Sequence, residues 1–214
     1  MVSLEPIARK ASVAAVAATT AFALFTAWWS LDGGLRLDAS MLRFTGWLLR
    51  GWLDVVISAS WPLGEPQFGL AAVGLIAILM VTRQRYRAAA LVVGSFLALS
   101  ALEVAILVTI GEIRHVNLSI DALSQLYPSG HTARVPLLGT EMAAIAGRPA
   151  RGWILIATVG IAIVVALDRT DSKIQTGSAV IGGLLMGISV SLWFVALFAA
   201  WKAAEAQPRR GHQP

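Results

Sequence analysis

The stretch AAALVVGSFLALSALEVAILVTI, residues 88–110, contains a single charged residue, Glu103. A run of roughly 20 apolar residues is the length that an α-helix needs to cross the hydrocarbon of a bilayer. Because lipid offers backbone N–H and C=O groups no partners, such a segment must be helical where it crosses. The stretch therefore predicts a transmembrane helix, and with it a membrane protein.

The composition of the whole chain agrees with this prediction. Hydrophobic residues make up 57% of the 214 residues and charged residues 14%, whereas a soluble domain is usually about half apolar and a quarter charged. The absence of cysteine excludes disulfides, zinc thiolate sites and thiol nucleophiles. The net charge is +5, but the basic residues stand at the ends of apolar blocks, which indicates membrane orientation and not nucleic-acid binding.

Apolar blocks like the first recur along the chain. Together they predict six spans, at residues 11–31, 68–82, 88–110, 132–146, 152–167 and 174–200. A cleaved signal peptide is the alternative for the first block, but no A-x-A-like site follows it and it is long enough to cross. We expect one domain over residues 1–214, an all-α integral membrane protein built as a bundle of six transmembrane helices.

Basic residues set the expected orientation of this bundle. With the N-terminus inside, ten of the 17 lysines and arginines fall on inner segments and seven on outer ones. Cytoplasmic loops carry the excess of lysine and arginine in membrane proteins. We therefore expect both termini in the cytoplasm and a chain that resides in the plasma (inner) membrane.

Residues 38–57, between the first two spans, have an amphipathic pattern. Arg43 and Arg50 lie seven apart, near one helical face, while Trp47 and Trp52 supply aromatic surface. This pattern predicts an interfacial helix on the outer side of the membrane. A short re-entrant segment packed against the bundle is the alternative that the pattern leaves open.

Three polar stretches fall at the outer ends of spans three to six. They are EIRH at 112–115, YPSGHTAR at 127–134 and DRTDSK at 168–173. Their cations are Arg114, Arg134, Arg169 and Lys173. Like charges repel unless they share an anion, so the cluster predicts a negatively charged ligand, with solvated loop charge as the alternative.

The stretch YPSGHTAR adds the start of a helix to these cations. Ser129 is a good N-cap, Gly130 lets a ligand approach the backbone, and His131 lies on the first turn, where it can donate a proton. Helix N-termini expose unpaired N–H groups and a positive dipole end, which bind phosphate. The predicted phosphate-binding residues are Arg114, Ser129, Gly130, His131, Arg134, Arg169 and Lys173.

The sequence PSGH before a transmembrane helix, in a six-span chain, resembles the type-2 phosphatidic-acid phosphatases, the integral-membrane branch of the vanadium-haloperoxidase superfamily. This resemblance implies an outer-face site that removes phosphate from lipid phosphates or diphosphates, with His131 protonating the leaving oxygen. It also implies a further motif, in which a phosphate-binding Arg precedes a nucleophilic His by six residues, and an Asp four further on orients that His. Arg169 matches this Arg, but Gln175 and Ala179 stand where the His and the Asp are expected.

These departures leave two hypotheses. A Gln amide is not nucleophilic, so the first is an inactive relative that recognises a lipid phosphate of polyprenyl or phosphatidate type, or supports a partner membrane protein. The second is an active lipid-phosphate phosphatase in which His115 is a relocated nucleophile and His131 is the acid. Neither hypothesis involves a metal or another cofactor.

Two other features of the spans bear on packing. A small-residue stripe in span six, from Ser178 to Gly187, is expected to serve close helix packing inside the monomer or across a dimer. Glu103 and Glu141 lie inside spans, where ionisable residues are usually paired or face a cavity. No basic residue within the spans stands out in the sequence as the partner of either one.

Overall fold

The computed structural model of the chain describes residues 5–49, 65–114, 127–146, 148–172 and 175–206, together with 55, 57, 59 and 62. Every element in these residues is helical, as predicted. The helices are α1 Glu5–Trp28, α2 Gly34–Leu48, α3 Pro66–Thr82, α4 Tyr86–Arg114, α5 Gly130–Ile145, α6 Arg148–Asp171 and α7 Gly177–Ala206. A π-helical turn, Trp29–Gly33, joins α1 to α2.

The prediction of six spans is confirmed in part. Four helical stretches in the described residues are long and apolar enough to cross a membrane: Pro6–Leu31, Tyr86–Thr109, Pro149–Asp171 and Gly177–Glu205. The apolar helix Pro66–Thr82 is shorter than these four. The remaining predicted span corresponds to α5, which has only 16 residues and is not among these apolar helices.

Helix α5 lies at the centre of the bundle, which explains how a short polar helix is accommodated there. It packs against α3, α4, α6 and α7. All ten residues from 130 to 139 are buried, including His131, Arg134 and the helix-interior Pro136. Because protein and not lipid surrounds this helix, neighbouring helices can satisfy its polar groups.

The small-residue stripe of α7 packs against the start of α5, within the monomer. A Cβ atom added to Gly183 would overlap the carbonyl oxygen of Ser129, and one added to Gly187 would overlap that of Ala133. Glycine at these positions lets the two backbones approach closely, as small residues commonly do between membrane helices. The position of α5 along α7 is therefore set by glycines of α7.

The corner between α1 and α2 docks on the start of α7. Asp38 Oδ1 accepts a hydrogen bond of 2.6 Å from the Ser178 amide, and Trp29 Nε1 donates one of 3.0 Å to the Ser178 hydroxyl. Helix α2 begins four residues before the predicted interfacial helix, and it packs against α6 and α7 while exposing Trp47. The end of the predicted segment, including Arg50 and Trp52, lies outside the described residues.

Candidate functional site

Helix α5 begins at the PSGH sequence, where Ser129 serves the fold in three ways. Its Oγ accepts a hydrogen bond of 3.3 Å from the Thr132 amide, as an N-cap does, and donates one to Gln175 Oε1. Its own amide donates to the Ala179 carbonyl at 2.9 Å. The amide and the hydroxyl of Ser129 are therefore engaged inside the fold and do not face a ligand.

The next residues of α5 meet a carboxylate from α4. Arg134 Nη2 lies 2.8 Å from Glu103 Oε2, and both side chains are largely buried. The same carboxylate lies against Gly130, where any Cβ atom would overlap it. A charge at membrane depth is costly unless it is paired, so Arg134 is the partner of Glu103 that the sequence did not reveal. Glycine at position 130 leaves room for this carboxylate.

His131 and Arg169 share a second carboxylate, which comes from Glu65. Glu65 Oε1 lies 3.4 Å from His131 Nε2 and 3.6 Å from Arg169 Nη2. Asp168 Oδ2 also approaches Arg169, at 3.7 Å from Nε. Two of the predicted anion-binding side chains, from α5 and α6, are thus brought together around one carboxylate oxygen that the chain itself supplies.

Sequence reasoning missed Glu65. The signal was an acidic residue followed by proline at the start of span two, which lies at the same end of the predicted bundle as Arg169. It was missed because an anion site was expected to contain cations and not a carboxylate. In the structure Glu65 has the extended backbone of an N-cap residue, yet its side chain makes no cap bond to α3. Its carboxylate lies where the N-termini of α3 and α5 meet, and helix N-termini favour negative charge.

These surroundings change the protonation of His131. The pKa of His131 is lowered from 6.5 to about 4, chiefly by burial and then by the charges of Arg169 and Arg134, while the Glu65 carboxylate opposes this shift. The imidazole is therefore neutral at pH 7 in this state. A role as proton donor requires an added negative charge beside it, which would raise its pKa again.

The two positions at which the sequence departs from the motif that it resembles also lie at this site. The side-chain oxygen of Gln175 accepts a hydrogen bond from the Ser129 hydroxyl. The backbone N–H of Gln175 donates one of 3.1 Å to the Arg169 carbonyl. Ala179 is fully buried, and its backbone carbonyl accepts a hydrogen bond from the Ser129 amide. The positions that the resemblance assigns to the nucleophile and its orienting acid are thus adjacent to PSGH and Arg169, but neither residue has the chemistry for those roles.

The other predicted residues lie elsewhere or outside the described part of the chain. Arg114 is the last residue of α4, and its side chain is not described. His115 and Lys173 fall outside the described residues. Glu141 is fully buried ten residues after His131 along α5, where it accepts a hydrogen bond from Ser95 of α4.

The site thus holds a neutral imidazole and a buried guanidinium, with the carboxylates of Glu65 and Asp168 beside the guanidinium. Within the described ranges, no group of three His, Cys, Asp or Glu side chains is placed to hold a metal ion. Comparisons with protein families, curated proteins and solved structures find no match to this chain. The chemistry of these side chains is consequently the basis for any functional assignment.

Proposed function

We propose that the chain recognises the phosphate group of a lipid, of polyprenyl or phosphatidate type, at the outer face of the plasma (inner) membrane. The observation that carries this proposal is the convergence of His131 and Arg169 on one carboxylate oxygen of Glu65. Carboxylate and phosphate oxygens are equivalent acceptors for a guanidinium group. A phosphate oxygen can therefore take the position that Glu65 Oε1 occupies.

The proposal is recognition without phosphohistidine chemistry, because Gln175 and Ala179 stand where the resembled motif has the nucleophilic His and its orienting Asp. The nitrogen lone pair of the Gln175 amide is delocalised, so it cannot attack phosphorus. Ala179 has no group to orient a nucleophile, and it is enclosed by packing against the start of α5. Two side chains that can bind an anion, His131 and Arg169, are present, while these two positions lack the groups that would cleave the phosphate ester.

The outer location of the site is part of the proposal. It follows from the excess of basic residues on the segments assigned to the inside, ten against seven. With the N-terminus inside, α3 and α5 both begin on the outer side, and their first residues carry Glu65 and His131. The site would then open towards the outer leaflet, where a lipid phosphate can approach it.

Arg169→Gln tests this proposal in purified protein reconstituted into phosphatidylcholine nanodiscs containing phosphatidate or a polyprenyl phosphate. We expect the affinity for at least one of these lipids to fall by roughly ten- to a hundredfold, since charge-assisted hydrogen bonds contribute about 1.5–3 kcal/mol. The matched control is Arg87→Gln, which removes an exposed arginine paired with Glu205. Equal binding by the wild type and a folded Arg169→Gln variant would remove Arg169 from the site.

Hydrolysis by a rearranged site is the second candidate, with His115 as nucleophile and His131 as general acid. The proximity of His131 and Arg169 favours it, because an acid beside a phosphate clamp is what the reaction requires. Phosphate release from the same lipids separates the candidates. Turnover that is abolished by His131→Ala would establish hydrolysis, whereas binding without release supports recognition alone.

A further inference from the structure

We propose that Glu65 determines which head groups this site accepts, because it is an internal anion that only a terminal phosphate with two negative charges can displace. The ligand class would then be a lipid phosphomonoester or diphosphate, and phosphodiester lipids with one charge would be excluded. This inference rests on the proposed function and deepens it. Its basis is the position, the charge balance and the attachment of the Glu65 side chain.

The position of Glu65 places it between solvent and the cation. Its side chain is 29% exposed, whereas the side chain of His131 is 11% exposed and that of Arg169 is 1% exposed. A ligand that approaches from the open side meets the Glu65 carboxylate before it reaches the guanidinium. Binding to Arg169 at this point therefore requires Glu65 to leave.

The charge balance decides which ligands can make Glu65 leave. Among the described residues, the carboxylates of Glu65 and Asp168 both approach Arg169, and the neighbouring Arg134 is paired with Glu103. A ligand with one negative charge that replaces Glu65 leaves the charge next to Arg169 unchanged. A dianionic phosphate adds one negative charge beside the guanidinium and the helix N-termini, so it gains Coulombic energy that a monoanion does not.

The attachment of Glu65 allows such a movement without disrupting the fold. Two hydrogen bonds hold the backbone of Glu65. The Glu65 amide donates to the Pro62 carbonyl, and the Glu65 carbonyl accepts from the Gly69 amide. Its side chain does not cap α3, and among the described residues it forms ion pairs with His131 and Arg169. Rotation of the side chain would therefore break these two contacts and leave the first turn of α3 intact.

The test compares two lipids, phosphatidate and phosphatidylglycerol, in nanodiscs whose remaining lipid is phosphatidylcholine. We expect the wild type to bind phosphatidate at least about tenfold more tightly than phosphatidylglycerol, and Glu65→Gln to bind phosphatidylglycerol at least about tenfold more tightly than the wild type does. Inorganic phosphate added to nanodiscs of pure phosphatidylcholine shows whether the free anion suffices. Glu65→Ala, which also removes the carboxylate, should give the same change if the glutamine variant does not fold.

The control is Glu205→Gln, which neutralises an exposed glutamate of α7 paired with Arg87 and should leave both affinities unchanged. Folded Glu65 variants that keep the wild-type preference, or bind both lipids more weakly, would overturn this inference. If phosphatidate binding still depends on Arg169 in that case, the proposed function stands. If neither the wild type nor the Glu65 variants bind phosphatidate, phosphatidylglycerol or a polyprenyl phosphate, both proposals fail.

Discussion

Each polar side chain at the start of α5 has a partner from another segment of the chain. Ser129 pairs with Gln175, His131 with Glu65, and Arg134 with Glu103. In this environment an unpaired charge would be costly, so the partners fix both the conformation and the ionisation of these groups. The reactivity of His131 is accordingly a property of its surroundings and not of the PSGH sequence alone.

The ionisation of His131 predicts that phosphate binding is coupled to proton uptake. Burial, together with the charges of Arg169 and Arg134, lowers the pKa of His131 to about 4 against the opposing effect of Glu65, and a bound phosphate dianion would raise it. Because linkage is reciprocal, protonation of His131 then strengthens phosphate binding. We expect the affinity for phosphatidate to rise as the pH falls from about 8 to about 6.5, by at most about tenfold per pH unit for one proton.

Calorimetry of the same binding reaction in two buffers with different ionisation enthalpies measures this proton uptake directly. His131→Asn, which has no titrating ring, should bind with less proton uptake and a flatter pH dependence. The phosphate itself takes up a proton near pH 6, so the comparison is confined to pH values above that range. An affinity that is independent of pH in the wild type would contradict the coupling.

At the scale of helices, the contact between α5 and α7 determines whether the site is assembled. The glycines of α7 admit the backbone of α5, and the Ser129 amide then reaches the Ala179 carbonyl. The same approach allows the Thr132 hydroxyl to lie 3.1 Å from the Val180 carbonyl. Close packing of these two helices thus holds the first turn of α5 in place.

Gly183→Ala is expected to destabilise the protein by about 1–3 kcal/mol, because the added methyl group overlaps the Ser129 carbonyl oxygen and the helices must separate. Thermal unfolding in detergent measures the effect as a lower midpoint temperature, and lipid-phosphate binding should weaken with it. The matched control is Gly160→Ala in α6, where nothing lies within 4 Å of an added Cβ atom. An unfolding temperature for Gly183→Ala equal to that of the wild type would contradict this account of the packing.

At the scale of the whole molecule, function depends on which side of the membrane the start of α5 faces. The chain contains no cysteine, so single introduced cysteines can report the orientation without background. Ser40→Cys, on an exposed position of α2, should react with a membrane-impermeant maleimide added from outside. Arg83→Cys, just after α3, should react only once the membrane is permeabilised.

The opposite labelling pattern would place the His131 site on the cytoplasmic side and remove the outer leaflet as the source of its ligand. Labelling of both cysteines from outside would show that an even number of crossings separates α2 from the end of α3. Either result would change the number or direction of the spans. The arrangement of His131, Arg169 and Glu65 within the bundle would stay the same.

The sequence by itself determined the helices and the residues with unusual chemistry. Apolar blocks that end at charged residues, proline or glycine are local signals, so five of the six predicted spans correspond to apolar helices. The start of α5 at PSGH was also predicted correctly. Only the tertiary structure decided the partners, since Glu65 and His131, or Glu103 and Arg134, are far apart in sequence and meet through the rotation and packing of separate helices. That packing places carboxylates beside Arg169 and Arg134, which is why the predicted cluster of free cations is, around these two residues, a set of ion pairs.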